Sequence, residues 1–352
     1  MDTVKIKKES KRKIRVDFER APLLERLKSK YLSMFFLKKV VFIIFKLILL
    51  VGVSYVILFP YFTKIFGSFM TPEDFKDVTV ILLSKNPTID QYKYIITENQ
   101  YWSAFLTTFL TSLSVALIQT IICALVGYGL AKFKFKGNSI VFFLVIFTMM
   151  VPQEAIRYSM MMHFRMFTDA SPIGAMLEWF GVLEEGTGIQ RSLSPLYMLA
   201  ITGLGFKNGL YIFLFRQFFR GVPDELEESA YVDGSSTMRT FFTIIIPLAI
   251  PMMVTVFIFS FAWQWTDDFY TMEILFDDGY WNIREGHEPL QFMSSIVKVP
   301  ETLSKQASGN MEAYRSAVMG TATILIALPL ILAYLFVQKY IVQGIERSGI
   351  VG

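Results

Sequence analysis

The residues best suited to chemistry in this chain sit inside or at the edges of long apolar runs. Arg157 and Lys207 fall within hydrophobic stretches, where a charge is expensive and commonly marks a substrate or ion pathway. Asn208 and Gly209 follow Lys207 directly. The run SFAWQWTDDFY sets Trp263, Gln264 and Trp265 beside Asp267 and Asp268. Such a surface suits a carbohydrate, because a ring face meets the sugar's C–H side while carboxylates accept its hydroxyls. The same run also fits an interfacial aromatic belt. A third group, ELEESAYVDGSS, puts Glu225, Glu227, Glu228 and Asp233 just ahead of a wall of Phe, Ile and Pro.

Other chemistries lack their parts. Cys123 is the single cysteine and lies in an apolar run, which excludes a disulfide framework and a CxxC redox pair. His163 and His287 are the two histidines, far apart, so the spacing that puts two imidazoles on one helix face is missing. There is no phosphate-binding loop of the G-x-x-x-x-G-K-[ST] type. Asp267 and Asp268 are adjacent at a span end, and no partner acid across a cleft completes a glycosidase pair. The chain therefore carries no catalytic residues, metal site or cofactor site of its own, and its energy comes from another protein or an ion gradient.

The elements that position these residues are membrane helices. The chain is 53% hydrophobic and 18% charged, outside the range of a soluble domain. Six stretches can cross about 30 Å of hydrocarbon at about 1.5 Å per residue. They are 40–62, 104–131, 139–164, 193–215, 241–265 and 316–337. The first follows a basic leader and has no small-residue cleavage site, so it reads as a retained span. Pro152, Pro247, Pro251 and Pro329 are expected to interrupt their helices. Glu154 is the lone acidic residue seen inside a span.

Basic residues orient the spans. Residues 1–39 carry 13 Lys and Arg against 5 Asp and Glu. Lys132, Lys134, Lys136, Arg216, Arg220, Arg239, Lys339 and Arg347 fall on the same side, which outweighs the other. Both termini are thus expected in the cytoplasm, with the leader touching anionic lipid and not nucleic acid. The segment 216–240 becomes a cytoplasmic loop with its own helix. Pro223 suits a first helical position, Asp224 and Glu225 favour the positive end of the dipole, and Gly234 ends the helix in a left-handed conformation. Ser235 or Ser236 can cap the next one. Val222, Leu226 and Ala230 share a face, and Ser229 and Ala230 are small enough to admit another protein's surface. A helix this short is marginal alone and is expected to dock into a partner.

The same residues carry a resemblance. Glu228-Ser229-Ala230, three residues, Gly234, nine residues, then Ile244-Ile245-Ile246-Pro247 resembles the E-A-A-x3-G-x9-I-x-L-P signature of permease subunits of binding-protein-dependent ABC importers. Ser229 stands for Ala and Ile246 for Leu. VGYGLAKFKFKGNSIVFFLVIFTMMVP (126–152) and the tail FVQKYIVQGIERSGIVG (336–352) are similar to the carbohydrate branch typified by the smaller maltose-type permease. Trp263, Trp265 and Asp267 resemble that branch's W-x-W-N-D/E-F, although Thr266 replaces Asn and Asp268 replaces an aromatic. Residues 1–100 match only as a basic leader plus one span.

The resemblance implies an all-α integral membrane protein of six transmembrane helices, with a type I importer permease fold and a cytoplasmic coupling helix. Its parts would be a leader (1–39), a first span (40–66), an extracytoplasmic segment (67–100), a five-helix core (101–338) and a cytoplasmic tail (339–352). The core would hold a coupling loop (216–240) and extracytoplasmic loops (168–192 and 266–315). The implied role is half of a translocation pathway for a sugar or oligosaccharide in a prokaryotic cell membrane. The implied partners are a second permease subunit, two ATPase subunits that hydrolyse the ATP, and an extracytoplasmic solute-binding protein. Coupling to the ATPases would fall on Glu227, Glu228, Ser229, Ala230, Asp233 and Gly234. Substrate-pathway candidates are Arg157, Lys207, Asn208, Trp263, Gln264, Trp265, Asp267 and Asp268, and if Arg157 and Lys207 face the pathway they favour an acidic solute. The alternative is an ion-coupled carrier working without an ATPase, which would need intramembrane carboxylates.

Overall fold

The structure is a computed structural model that describes residues 34–167, 171–181, 193–205, 207–267, 292–306 and 312–347. The described residues are helical, with no strand among them. They fall into two units, Met1–Thr63 and Lys64–Gly352.

The first unit is most of α1 (Met34–Gly67). Its apolar residues point to every side, and none in its most hydrophobic window is buried. A helix that is apolar all round is suited to face lipid. It begins six residues before the expected span.

The second unit is organised around α3 (Tyr101–Lys132), preceded by α2 (Asp90–Glu98). Buried Thr108, Thr111, Ser112, Ala116, Thr120 and Ala124 line α3. Small side chains let other helices approach closely, the usual device where lipid supplies no hydrophobic drive. Two helices pack most extensively on it, α8 (Asn208–Arg220) and α11 (Ile246–Trp265). The first joins it around Cys123, Tyr128, Tyr211, Phe215 and Phe219, and α11 closes the cluster with Met252 and Val256, beside Ile245 just before it. At the Tyr101 end a second cluster gathers Ile95, Trp265, Met293 and Leu303 of α12 (Glu301–Gln306) with Tyr314 and Val318 of α13 (Glu312–Arg347).

Two of the six expected spans are not single helices. The stretch 139–164 is α4 (Asn138–Met150) and α5 (Gln153–Arg165), separated at Val151 and Pro152. Proline lacks the N–H that would carry the helix through, and it forces the preceding residue out of helical geometry; Val151 is extended. The stretch 193–215 is α7 (Ser194–Ile201) and α8, with α6 (Pro172–Trp179) earlier in the chain. Here the break is a left-handed cap: Gly203 has φ +71°, Leu204 N donates to Leu199 O and Gly203 N donates to Ala200 O. Among the described residues, four helices are long and apolar enough to cross a membrane, Lys38–Gly67, Tyr101–Lys132, Thr237–Trp265 and Glu312–Lys339. The other prolines do not interrupt as expected. Pro247 sits in the first turn of α11, after a π-helical turn at Phe241–Ile245, and the helices run on through Pro251 and Pro329. α13 also passes the expected boundary at 338 and ends at Arg347.

Candidate functional site

Two polar centres stand at opposite ends of α8. The first is at the Lys132 end, around α9 (Glu225–Val232). Asp224 precedes the helix, and Glu225, Glu227 and Glu228 load its first turn, where carboxylates complement the dipole. Its far end is capped twice over: Ser235 N donates to Ala230 O at 2.9 Å and Gly234 N to Tyr231 O at 3.0 Å. Gly234 has φ +81°, which glycine adopts without steric cost. Ser236, and not Ser235, caps α10 (Thr237–Thr240), its Oγ accepting from Arg239 N.

α9 is fastened to α3 by buried charge. Lys132 Nζ donates to Asp224 Oδ1 at 2.5 Å and to Val222 O at 2.6 Å, and it stands 3.5 Å from Glu227 Oε1. Glu227 is only 7% exposed. Its Oε2 accepts from Tyr128 Oη at 3.0 Å and from Tyr231 Oη at 3.4 Å. Lys132, hydrogen-bonded to Asp224, holds that carboxyl below the usual carboxylate range. Tyr128 and Lys132 lie one turn apart on α3, so both grip one side of the short helix.

This arrangement changes how the sequence candidates read. Glu227 faces into the chain, Ala230 is buried there and Val222 leans on the core around Tyr128. The face shared by Val222, Leu226 and Ala230 is therefore turned mostly inward. Left outward are Glu228, Ser229, Asp233 and Gly234, with Leu226, Tyr231 and above all Val232, 87% exposed.

The second centre surrounds the break between α7 and α8. Lys207 Nζ lies 3.9 Å from the centre of the Trp263 ring, joining two candidates that the sequence left 56 positions apart. Trp263 is 54% exposed. Trp265 is turned the other way: it is buried, its Nε1 donates to Ile326 O at 3.0 Å, and it meets Phe105 edge-on. Asn208 is fully buried, and neither its Nδ2 nor its Oδ1 has a hydrogen-bond partner among the described residues. Gly205 brings the backbone against this amide and Gln119; a methyl group there would lie 2.9 Å from Gln119 Nε2 and 3.3 Å from Asn208 Cγ. Ser260, one turn before Trp263, hydrogen-bonds Gln119 Oε1. Gln264 is half-buried and Asp267 follows the end of α11. Asp268 lies outside the described residues. Arg157 falls on α5 with its side chain outside them, so Lys207 is the one of the two candidate cations whose surroundings are described.

Energetics single out Lys207. A cation over a ring is worth about 0.5–2 kcal/mol, less than the roughly 2.5–3.5 kcal/mol that a lysine costs at the centre of a membrane helix. Among the described residues no carboxylate pairs with it.

Sequence reasoning missed Lys132, Tyr128 and Tyr231. Lys132 counts toward orientation in the Lys132/Lys134/Lys136 group, and its buried role depends on partners 92 and 95 positions away. The signal available was local on each side: Tyr128 and Lys132 at helical spacing, and Asp224 and Glu227 three apart.

Comparison with known proteins agrees with this architecture. The chain is 26% identical over 297 residues to the polygalacturonan/rhamnogalacturonan transport system permease protein YtcP of Bacillus subtilis (strain 168), covering 83% of this chain and 92% of that one. It is 28% identical over 306 residues to the maltodextrin transport system permease protein MalD of Streptococcus pneumoniae (strain ATCC BAA-255 / R6), covering 85% and 92%. In fold it is similar, with a TM-score of 0.58 and 20% identity, to a chain from the crystal structure of a bacterial ABC transporter involved in the import of the acidic polysaccharide alginate, covering 86% of this chain and 97% of that one. The family described as the binding-protein-dependent transport system inner membrane component matches residues 121–347, well over half the sequence, and the chain belongs to that family as a multi-pass membrane permease of the carbohydrate ABC importer kind.

Proposed function

We propose that this chain forms half of the translocation pathway of an ATP-driven importer for a sugar or oligosaccharide, acidic ones included, delivered by a solute-binding protein. The other half is a second permease subunit, and ATP is hydrolysed by two separate ATPase subunits on the cytoplasmic side. The observation that carries the reading is α9, a short helix outside the apolar spans whose outward face offers Leu226, Tyr231 and Val232 among carboxylates. Exposed apolar residues rimmed by charge mark a protein contact. The basic residues around it support a cytoplasmic position for this face.

Motion of the docked ATPase then reaches the pathway by two routes. Gly234 leads the chain into α11, and the Lys132 clamp joins α9 to the end of α3. The clamp is the stiffer route, because Lys132 and Glu227 are buried and α3 is a continuous helix of 32 residues, about 48 Å long. Rocking of packed helices is the ordinary means of alternating access.

The test is uptake by proteoliposomes holding the co-purified complex, with its solute-binding protein outside and ATP inside. Uptake that requires internal ATP is the expected result. Uptake driven by a Na⁺ or H⁺ gradient without ATP would replace this reading by the ion-coupled carrier. Orientation is checked with a single cysteine at Ser235 in a Cys123→Ala background, which an impermeant reagent should not reach in intact cells.

A further inference from the structure

The geometry points to a subsite for the carboxylate of an acidic sugar, made by Lys207 and Trp263. The inference deepens the importer reading and rests on it. Three observations carry it. Lys207 holds its ammonium 3.9 Å from one face of the Trp263 ring, with no carboxylate paired to it among the described residues. Trp263 is half exposed, so part of its ring surface is open beside that charge. One residue on, the buried Asn208 amide has its donor and its acceptor both unused, in a polar floor completed by Gln119 and Ser260.

A uronic-acid residue matches this combination. Its carboxylate meets an ammonium that the ring attracts without neutralising, and a charged pair of this kind forms stronger hydrogen bonds than neutral ones. Its C–H face meets the uncovered indole surface. Its hydroxyls both donate and accept, which is what an unpaired amide requires. A neutral sugar satisfies the indole and the amide and leaves the lysine without a counter-ion.

Position agrees with this use. α8 has 13 residues and so spans about 20 Å from Arg220 to the break, which sets Lys207 well inside a bilayer about 30 Å thick. The break itself leaves backbone groups uncovered by helix, and membranes tolerate that where protein or water covers them.

The experiment compares a uronic-acid trisaccharide with its methyl ester, the same molecule without charge, in proteoliposomes of the full complex. Wild type should take up the acid faster than the ester. Lys207→Gln should lose acid uptake on the order of tenfold or more, the value of a hydrogen bond to a charged group, with ester uptake unchanged. Lys207→Arg should restore most of it, and Trp263→Leu should lower uptake of both solutes. Equal loss of acid and ester in Lys207→Gln, or no loss of either, would overturn the subsite. So would a Lys207 effect seen only in vesicles with anionic lipid and absent from pure phosphatidylcholine, since the lysine would then hold a lipid headgroup. Wild-type preference for the ester would overturn the subsite and leave the importer standing. Uptake independent of ATP would overturn the importer instead, while the acid-to-ester ratio of Lys207→Gln would still decide the subsite.

Discussion

Lys132 and Glu227 come from helices far apart in the chain and meet at 3.5 Å with both side chains buried, at the point where a short surface helix joins the end of the central helix α3. A buried ion pair adds little net stability against an apolar substitute, because desolvation offsets most of the attraction. Removing one member is different, since it strands the other. Here the pair is useful as a joint: it ties two elements in one geometry and fails sharply if either half is lost.

Lys132→Met should therefore destabilise the α3–α9 contact by about 3–5 kcal/mol, the cost of stranding a buried partner. The double variant Lys132→Met, Glu227→Gln should lose clearly less than the sum of the two single changes. Hydrogen exchange of the α9 amides and ATPase stimulation by loaded binding protein are the measurements. Additive losses would mean that the two residues act separately.

The pH response of the joint follows from Asp224. Lys132 depresses its carboxyl below the ordinary value of 3.8, so the folded form holds this proton more weakly than the unfolded form. Its contribution is fully present above the ordinary value and is lost as pH falls through the depressed one. From pH 8 to pH 5 protection of α9 should stay constant as far as this group is concerned. Below about pH 4 it should fall in wild type and fall less in Asp224→Asn.

The contrast between what could and could not be read from sequence is clear at these residues. The helix at 225–232, its left-handed end at Gly234 and its loaded first turn are local, and local pattern located them. The inward turn of Glu227 and Ala230 depends on α3, and nothing within α9 states which face α3 will cover. The spans show the same division. Four continuous helices follow from apolar length, but hydropathy averages across Val151 and Pro152 and across Gly203, where backbone geometry breaks the helix. Lys207 and Trp263 are each legible as unusual residues, whereas their contact spans 56 positions and depends on how α8 and α11 pack.

Gly234 offers a test of backbone against space. A side chain added there meets nothing within 4 Å, so the only penalty is conformational. Gly234→Val should cost on the order of 1 kcal/mol or more, because a β-branched residue is forced to positive φ. Gly234→Asn should cost little, since Asn tolerates that region. With equal expression of both variants, solute-stimulated ATP hydrolysis should drop for Val and hold for Asn. Equal loss in both would point to a surface requirement at this position.

The two tryptophans near the end of α11 should separate in the same way by orientation. Trp265 is buried, hydrogen-bonded to Ile326 O and packed on Phe105, so Trp265→Leu removes a partner of a partly buried carbonyl and leaves a gap between α3, α11 and α13. Its cost should be on the order of 2 kcal/mol or more. Trp263 is half exposed and touches Lys207, so Trp263→Leu should leave thermal stability of the purified complex nearly unchanged while lowering solute uptake. Melting of the detergent-purified complex alongside uptake measures both. A Trp263 variant that melts as early as the Trp265 variant would make its ring a packing element and remove it from the pathway.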